Sequence, residues 1–220
     1  MPIHRAYNQD FFKKWTSDMA YILGFLYADG NVTKTKRGTH FIAIYSADRE
    51  ILVKMRKAFG SNHLLSARRS STGCVYRIQV GSKEWFDDVA TLGLFPNKVK
   101  RMVLPNIPAI FFADFVRGYF DGDGNVWTGI NNKHRTMPPL VIMTAFTSGS
   151  HDFLKALHQA LLGVGLCGGS LYRIKGKNCS RLLLSVRDSL KLYRIMYNGR
   201  HKLYLKRKKA VFDRFVEMRE

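Results

Sequence analysis

Two short segments of the chain end in the same Asp-Gly-Asn-Val sequence and contain residues that could bind a metal ion. The first is GFLYADGNV at residues 24–32, and the second is GYFDGDGNV at residues 118–126. Each follows an apolar stretch of helical type, so Asp29 and Asp123 are expected at the C-terminal ends of two helices. A helix carries partial negative charge at that end, which disfavours a carboxylate unless a cation compensates it. The pair therefore predicts a site for Mg²⁺, or another divalent cation such as Mn²⁺, together with phosphate and water.

Two other interpretations of DGDGNV rest on known local structures. A calcium-binding EF-hand loop needs Gly at its sixth position and Glu at its twelfth, where this chain has Val126 and Asn132, so we exclude it. A left-handed helix cap would account for Gly30 and Gly124. It would not account for the aspartate before each glycine, and we therefore favour a functional role for the two aspartates.

The two segments introduce two copies of one repeat. Residues 17–105 match residues 111–209 in their order of apolar helical stretches and alternating strands, and both copies predict an α-β-β-α-β-β-α order. The linker NKVKRMVLPNIPA at 97–109 contains two prolines that cannot continue a helix. We predict an α+β fold with pseudo-symmetric repeats at 1–106 and 107–220, the second followed by a basic extension.

The helices that carry the two segments have small residues at matching positions. We expect them at about 18–28, capped by Ser17, and at about 108–121. Residues four apart lie on one helix face, and small residues there let two backbones approach closely. The small pairs are Gly24 with Ala28 and Gly118 with Gly122. This spacing predicts that the two helices pack together near a pseudo-twofold axis, with their C-terminal ends side by side.

Alternation along the strands predicts one apolar and one polar face for each sheet. The apolar face should contain Tyr76, Ile78 and Val80 in the first repeat, and Leu182, Leu184 and Val186 in the second. Arg77 and Gln79 should then lie on the opposite face. Because polar and basic residues recur in strand interiors of both repeats, we interpret this face as a nucleic-acid-binding surface rather than an ordinary solvated one.

Composition supports a polyanionic partner. The 220 residues include 36 Lys and Arg against 16 Asp and Glu, giving a net charge of +20 and a pI near 10.1. Such an excess typically serves nucleic-acid binding, whereas no long apolar run or basic amphipathic anchor indicates a membrane. The three cysteines, which form no CxxC pair, indicate neither a disulfide framework nor a zinc site. Without a hydrophobic signal segment, we expect an intracellular, non-secreted protein of a bacterial cytoplasm or an organelle matrix.

The two segments also carry a family resemblance. ILGFLYADG (22–30) and VRGYFDGDG (116–124) resemble the two signature motifs of the LAGLIDADG homing endonucleases in their monomeric, two-motif form. The likeness covers nearly the whole chain, because the order of helices and strands fits too. The first motif departs from the pattern at Tyr27, which replaces the inner acidic residue that Asp121 keeps in the second. That inner position is not a metal ligand in the family, and both outer acidic residues are present.

The resemblance implies a saddle of two antiparallel sheets on duplex DNA, with the motif helices packed at its centre. It implies a monomeric, sequence-specific endonuclease that needs Mg²⁺, cuts across the minor groove and leaves 3′ overhangs. Asp29 and Asp123 would each serve one strand as metal ligands, with the carbonyls of Ala28 and Gly122 assisting. A basic residue beside each phosphate would stabilise developing charge. We choose Lys98 for the first half and, among four basic residues at 206–209, Lys208 for the second.

The polar sheet faces would read the DNA. If the side chains of Val32 and Val126 point to the core, then the next residue of each strand, and every second residue after it, points to the DNA. The candidates are Thr33, Thr35, Arg37, Arg68, Arg77 and Gln79 in the first repeat, and Trp127, Gly129, Asn131, Arg173, Lys175 and Arg181 in the second.

Two further functions fit the same fold. An RNA-binding maturase would help an intron fold, and a net charge of +20 suits RNA as well as DNA. A catalytically silent DNA-binding regulator is the other, although the two retained outer aspartates argue against it.

Overall fold

The first repeat forms the predicted elements in the predicted order. The computed structural model describes residues 5–71, 73–97, 102–131, 136–137 and 139–219. Within the first repeat the elements are α1 Ser17–Asp29, β1 Gly30–Lys34, β2 His40–Ser46, α2 Arg49–Ala58, β3 Ser66–Ser70, β4 Gly73–Gly81 and α3 Lys83–Thr91.

The second repeat has the same order of elements and one additional helix. Its elements are α4 Ala109–Asp123, β5 Gly124–Ile130, β6 Leu140–Ser148, α5 His151–Gly163, β7 Ser170–Arg173, β8 Ser180–Leu184 and α6 Val186–Tyr197. The basic extension forms α7, Lys206–Glu217.

Each repeat contains one four-stranded antiparallel sheet with an identical strand order. The orders are β1-β2-β4-β3 and β5-β6-β8-β7. Helices pack on one face of each sheet, as the contacts of α2 and α3 with β2 and of α5 and α6 with β6 show. The predicted α+β class with two αββαββα repeats is therefore confirmed.

Strand register confirms most of the predicted apolar faces. In the first sheet Ile78 lies opposite Ile44 and Val80 opposite Ile42, and all four side chains are buried. In the second sheet Leu182 and Leu184 are fully buried. The prediction for Val186 was wrong, because β8 ends at Leu184 and Val186 is the first residue of α6.

The cap of α1 lies one residue earlier than predicted. Thr16 has an extended backbone, and its hydroxyl accepts a hydrogen bond from the amide of Met19 at 3.1 Å. Ser17 is already helical. Two adjacent hydroxyl residues were available for capping, and the one outside the helix satisfies the free amide.

The described chain packs as two compact units. The first extends to Gly122 and also contains His201–Tyr204, and the second contains the described residues from Asp123 to Arg200 and from Leu205 onward. Most of α4 belongs to the first unit because it packs on α1. The predicted repeat boundary between residues 106 and 107 marks where the second copy of the sequence repeat begins. It does not mark the boundary between compact units, and it stays a prediction.

None of the described helices is both long enough and apolar enough to cross a bilayer.

Candidate metal and nucleic-acid site

The two motif helices, α1 and α4, are in backbone contact within the first unit. A Cβ atom at Gly24 would overlap the carbonyl oxygen of Phe115, and one at Gly118 would overlap the carbonyl oxygen of Tyr21. Because the obstructing atoms belong to the main chain, only glycine permits this approach at either position. The predicted packing of the two helices is confirmed.

Asp29 ends α1 and is exposed to solvent. The next residue, Gly30, donates its amide to the carbonyl of Leu26 and has φ −93° and ψ 156°, so it is extended and begins β1. The left-handed cap considered for this glycine was therefore wrong. A Cβ at Gly30 would lie 2.5 Å from the oxygen of Leu26, so lack of space, rather than positive φ, requires glycine here.

Gly122 is the last residue of the first unit and lies against the end of α1. A Cβ there would overlap the Cβ of Ala28 and lie 3.4 Å from the Oδ2 atom of Asp29. The close approach of Ala28 therefore requires glycine at this position, whereas the distance to the Asp29 carboxylate is that of an ordinary contact. Ala28 and Gly122 are both half-buried, and the metal-binding role predicted for their carbonyls stays a prediction.

In the second unit, Asp123 is the first residue, and a lysine lies beside the residue that follows it. Asp123 is half-buried at the end of α4, and Gly124 begins β5. The Nζ atom of Lys208, on α7, donates a hydrogen bond to the carbonyl oxygen of Gly124 at 2.6 Å. Lys208 is only 6% exposed. The buried Lys208 ammonium group therefore contacts the residue that directly follows Asp123, one of the predicted metal ligands.

The other basic residues at the start of α7 have different surroundings. Lys209 contacts both carboxylate oxygens of Asp213, at 2.7 and 2.9 Å, and Asp213 also accepts a hydrogen bond from Tyr193 at 2.7 Å. This ion pair compensates the charge of Lys209 on the α6 side of the helix. Lys206 and Arg207 are exposed. Of the four candidates, Lys208 is the one whose position supports the predicted role, which itself stays a prediction.

The inner motif positions are bonded within the first unit. Asp121 is 2% exposed and accepts a hydrogen bond from the hydroxyl of Tyr21 at 2.6 Å. Tyr27, at the corresponding position of the first motif, donates its hydroxyl to the carbonyl of Leu92 at 2.6 Å. Burial raises the pKa of Tyr27 above its ordinary value of 10.0. Both side chains therefore contribute to the interior of this unit.

Four residues predicted to contact DNA share one face of the first sheet. Directly opposed residues of antiparallel strands point to the same face. Thr33, Gln79 and Arg77 are opposite alternate residues of β2, namely Phe41, Ala43 and Tyr45. Arg68 is opposite Val75, which alternates with Arg77 on β4 and so lies on the same face. The Nε atom of Arg77 donates a hydrogen bond to Ser66 Oγ at 3.2 Å, which orients its guanidinium along this face.

Two other candidates lie in the loop between β1 and β2. Thr35 accepts a hydrogen bond from the amide of Thr39 through its hydroxyl at 3.1 Å, so its side chain supports the loop. Arg37 is exposed within the loop. Neither is in a strand.

In the second sheet the predicted residues divide between the two faces. Trp127 is 50% exposed and pairs with Met143 of β6. Gly129 pairs with Val141 and Arg181 with Thr147, and these partners are separated by even numbers of residues along β6, so Trp127, Gly129 and Arg181 share one face. Arg173 is opposite Ser180, the neighbour of Arg181 in β8, and therefore lies on the other face. Lys175 lies in the turn after β7, and Asn131 follows β5.

Lys98, the lysine predicted for the first half-site, lies outside the described residues.

The donor groups at the motif ends fit a hard divalent cation. Each motif end has one carboxylate, that of Asp29 in the first unit and that of Asp123 in the second, together with its own main-chain carbonyls. Mg²⁺ prefers such oxygen ligands and is often held by one or two carboxylates, with water and phosphate completing its shell. Within the described ranges, no group of three or more His, Cys, Asp or Glu side chains is placed to hold a metal ion.

A family model described as a LAGLIDADG-like domain matches the chain twice, at residues 16–90 and 111–196. The chain belongs to this family. Each match contains all or most of one motif helix and one complete four-stranded sheet, so the family match also contains the duplication seen in the sequence.

Several solved structures share the fold of this LAGLIDADG-like protein. I-SmaMI bound to an uncleaved DNA target with calcium ions has a TM-score of 0.60 and 14% identity, over 91% of this chain and 89% of that one. I-AabMI bound to uncleaved DNA has a TM-score of 0.62 and 16% identity, over 90% and 88%. Mesophilic variants of the homing endonuclease I-DmoI give 0.57 and 14%, over 88% and 98%. At these identities the likeness establishes the fold. No curated protein sequence matched the chain.

A row of buried polar residues on α4 of this LAGLIDADG-like protein was not among the predicted site residues. Asp114, Arg117 and Asp121 are each less than 5% exposed. Their spacing of three and four residues within an otherwise apolar stretch places them on one helix face, and that signal was available in the sequence.

Proposed function

We propose that this LAGLIDADG-like protein is a site-specific, divalent-metal-dependent endonuclease that cuts both strands of a duplex DNA target as a monomer. The observation that carries the proposal is the repeated helix-to-strand junction. Each motif helix ends in an aspartate, at Asp29 and at Asp123, and a glycine begins the following strand. The family match to both repeats supports the same conclusion.

In this proposal Asp29 and Asp123 are each a metal ligand for the cutting of one DNA strand, assisted by the carbonyls of Ala28 and Gly122. Mg²⁺ or Mn²⁺ held there would supply Lewis-acid chemistry to a phosphodiester and to the water that attacks it. The Lys208 ammonium group, anchored on the Gly124 carbonyl, stabilises the charge that develops on the phosphate of one strand. Lys98 is our candidate for the other strand. Cutting across the minor groove with 3′ overhangs is the part of the proposal that rests on the family resemblance alone.

The polar sheet faces hold the DNA. Thr33, Arg68, Arg77 and Gln79 share one face of the first sheet and present both hydrogen-bonding and charged groups. With a net charge of +20, much of the affinity comes from phosphate neutralisation, so binding weakens steeply as salt concentration rises.

Selection of cleaved sites from a randomised duplex pool tests the proposal. The wild-type protein should yield a specific product with Mg²⁺ or Mn²⁺ and none with a chelator. Asp29→Asn and Asp123→Asn should each bind the selected duplex but cut it about 100-fold more slowly or worse, because each loses a metal-ligating charge. Asp10→Asn is the matched control, since its carboxylate lies on the surface and pairs with Lys13; it should cut like the wild type.

Other outcomes would replace the proposal. Specific duplex binding without any metal-dependent product would identify a silent DNA-binding protein. Assistance to intron splicing that survives the double Asn substitution would identify a maturase. Wild-type cutting rates in both Asn variants would exclude the two aspartates as metal ligands.

A further inference from the structure

A buried charged cluster on α4 holds a short segment that lies far away in sequence. Arg117 is 2% exposed, and its guanidinium pairs with Asp114, one helical turn earlier, which is 4% exposed. The Nε atom of Arg117 donates a hydrogen bond to the carbonyl oxygen of Leu203 at 3.0 Å. The Nδ1 atom of His201 lies 3.6 Å from Asp114 Oδ1. We call Asp114, Arg117, His201 and the Leu203 carbonyl the α4 clamp.

The clamped segment leads directly into α7. His201–Tyr204 packs with the first unit, although its neighbours in sequence belong to the second. Only Tyr204 and Leu205 separate the clamped carbonyl from Lys206, the first residue of α7. The carbonyl of Leu205 accepts the amide of Lys208 at 3.1 Å, so the first turn of α7 starts from this point. The first turn of α7 therefore begins two residues after the clamped carbonyl in the sequence.

Lys208 lies in this first turn of α7. Its side chain is 6% exposed, and its Nζ atom reaches the Gly124 carbonyl at 2.6 Å. A hydrogen bond weakens steeply when its geometry is lost, and a displacement of α7 by a fraction of a turn would remove this one. Stability alone does not account well for the charged clamp, because buried ion pairs are often no better than apolar residues of similar volume.

We propose that Arg117 is a positioning residue for Lys208. The α4 clamp fixes the register of α7, and so keeps the Lys208 ammonium group on Gly124 beside Asp123. This inference rests on the proposed function, since it assigns a role in one of the two half-sites. It predicts that damage to the clamp impairs cutting of one DNA strand more than the other.

Two clamp variants separate positioning from folding. Arg117→Lys keeps a positive charge for Asp114 but lacks the rigid fork that also serves the Leu203 carbonyl. The double variant Asp114→Leu/Arg117→Met removes both charges together, which avoids a lone buried charge, so we expect this variant to fold. Lys208→Met identifies the strand that depends on Lys208. Ser189→Ala is the control for general destabilisation, because Ser189 is fully buried and its hydroxyl is bonded to Thr144 of β6.

Cutting of each strand is measured separately on an end-labelled target. Both clamp variants should cut the Lys208-dependent strand at least about tenfold more slowly, because small misplacements of catalytic groups cost one to two orders of magnitude. The other strand should be cut within about twofold of the wild-type rate, so nicked product accumulates. Ser189→Ala should leave the ratio of the two strand rates unchanged. Equal slowing of both strands, or no slowing, would overturn the inference.

A second measurement does not depend on cleavage. Acetylation of lysines in the folded protein, followed by mass spectrometry, should show Lys208 protected in the wild type and reactive in both clamp variants. Lys209, held by Asp213, serves as the internal reference. If the wild type cuts no DNA, the proposed function fails, and the acetylation result alone decides whether the clamp positions Lys208. Protection of Lys208 in the clamp variants would refute that role.

Discussion

Gly118→Ala should destabilise the protein, although alanine is the better helix former. The added Cβ would overlap the carbonyl oxygen of Tyr21 and lie 2.8 Å from its carbonyl carbon and 3.0 Å from the amide nitrogen of Phe25. All three obstacles are main-chain atoms of α1, so no side-chain rotation relieves them. The two helices have to move apart.

The expected loss of unfolding free energy follows from the contacts that weaken when the two helices move apart. The aromatic side chains around the contact, including Tyr21, Phe25, Phe115 and Tyr119, are at most 1% exposed. Gaps of a fraction of an ångström weaken their contacts substantially. Overpacking of this kind costs about 3 kcal/mol at the upper end of the usual range. Alanine recovers about 1 kcal/mol of helix propensity, which leaves a net loss of about 2 kcal/mol. For a protein of this size that corresponds to a decrease in Tm of about 4–8 °C.

Thermal and urea unfolding measure this loss, and Gly163→Ala is the control. Gly163 is the last residue of α5, and a Cβ there meets no atom within 4 Å. The control should leave the free energy of unfolding unchanged or raise it by at most about 1 kcal/mol. If Gly118→Ala is as stable as this control, α1 and α4 are not in backbone contact, and the packing on which the candidate site depends is incorrect.

Three other substitutions have defined outcomes. Tyr21→Phe removes the hydroxyl that donates to buried Asp121 and should lower the free energy of unfolding by about 1–3 kcal/mol in urea titrations; an unchanged midpoint would contradict that bond. Burial raises the pKa of Tyr27 above 10.0, so the folded state keeps the proton that the unfolded chain releases, and this stabilisation is present below pH 10.0 and decreases above it. Wild type should therefore lose more stability than Tyr27→Phe between about pH 9 and pH 11, and parallel losses would argue against the shift. Arg77→Ala should weaken DNA binding and reduce the slope of log K against log salt by about one, measured by fluorescence anisotropy, if Arg77 neutralises a phosphate.

Local patterns in the sequence were sufficient for the order of elements. Apolar periodicity of two or 3.6 residues depends only on neighbouring residues, so it predicted both repeats and most strand faces. Apolar periodicity did not set the ends of the elements. Thr16 and Ser17 are equally suitable caps by type, and the choice between them depends on where the backbone leaves the extended conformation. Val186 continued an apolar alternation, but its backbone is helical.

The sheet face of a residue near a strand end could be assigned only from the register of strand pairing. Arg173 and Arg181 both suit a basic face by residue type. Arg173 pairs with Ser180, however, so Arg173 and Arg181 lie on opposite faces of the sheet. A shift of one residue reverses the face of every side chain in a strand, so composition could not separate them.

The sequence by itself determined that this protein is duplicated, that its motif helices can approach through matched glycines, and that each ends in an aspartate. These features depend on residue type and short spacing alone. Only the tertiary structure decided that Lys208, among four adjacent basic residues, lies on Gly124, and that Arg117 holds the segment before α7. Both depend on contacts between residues more than 80 positions apart, whose geometry is set by packing of whole elements.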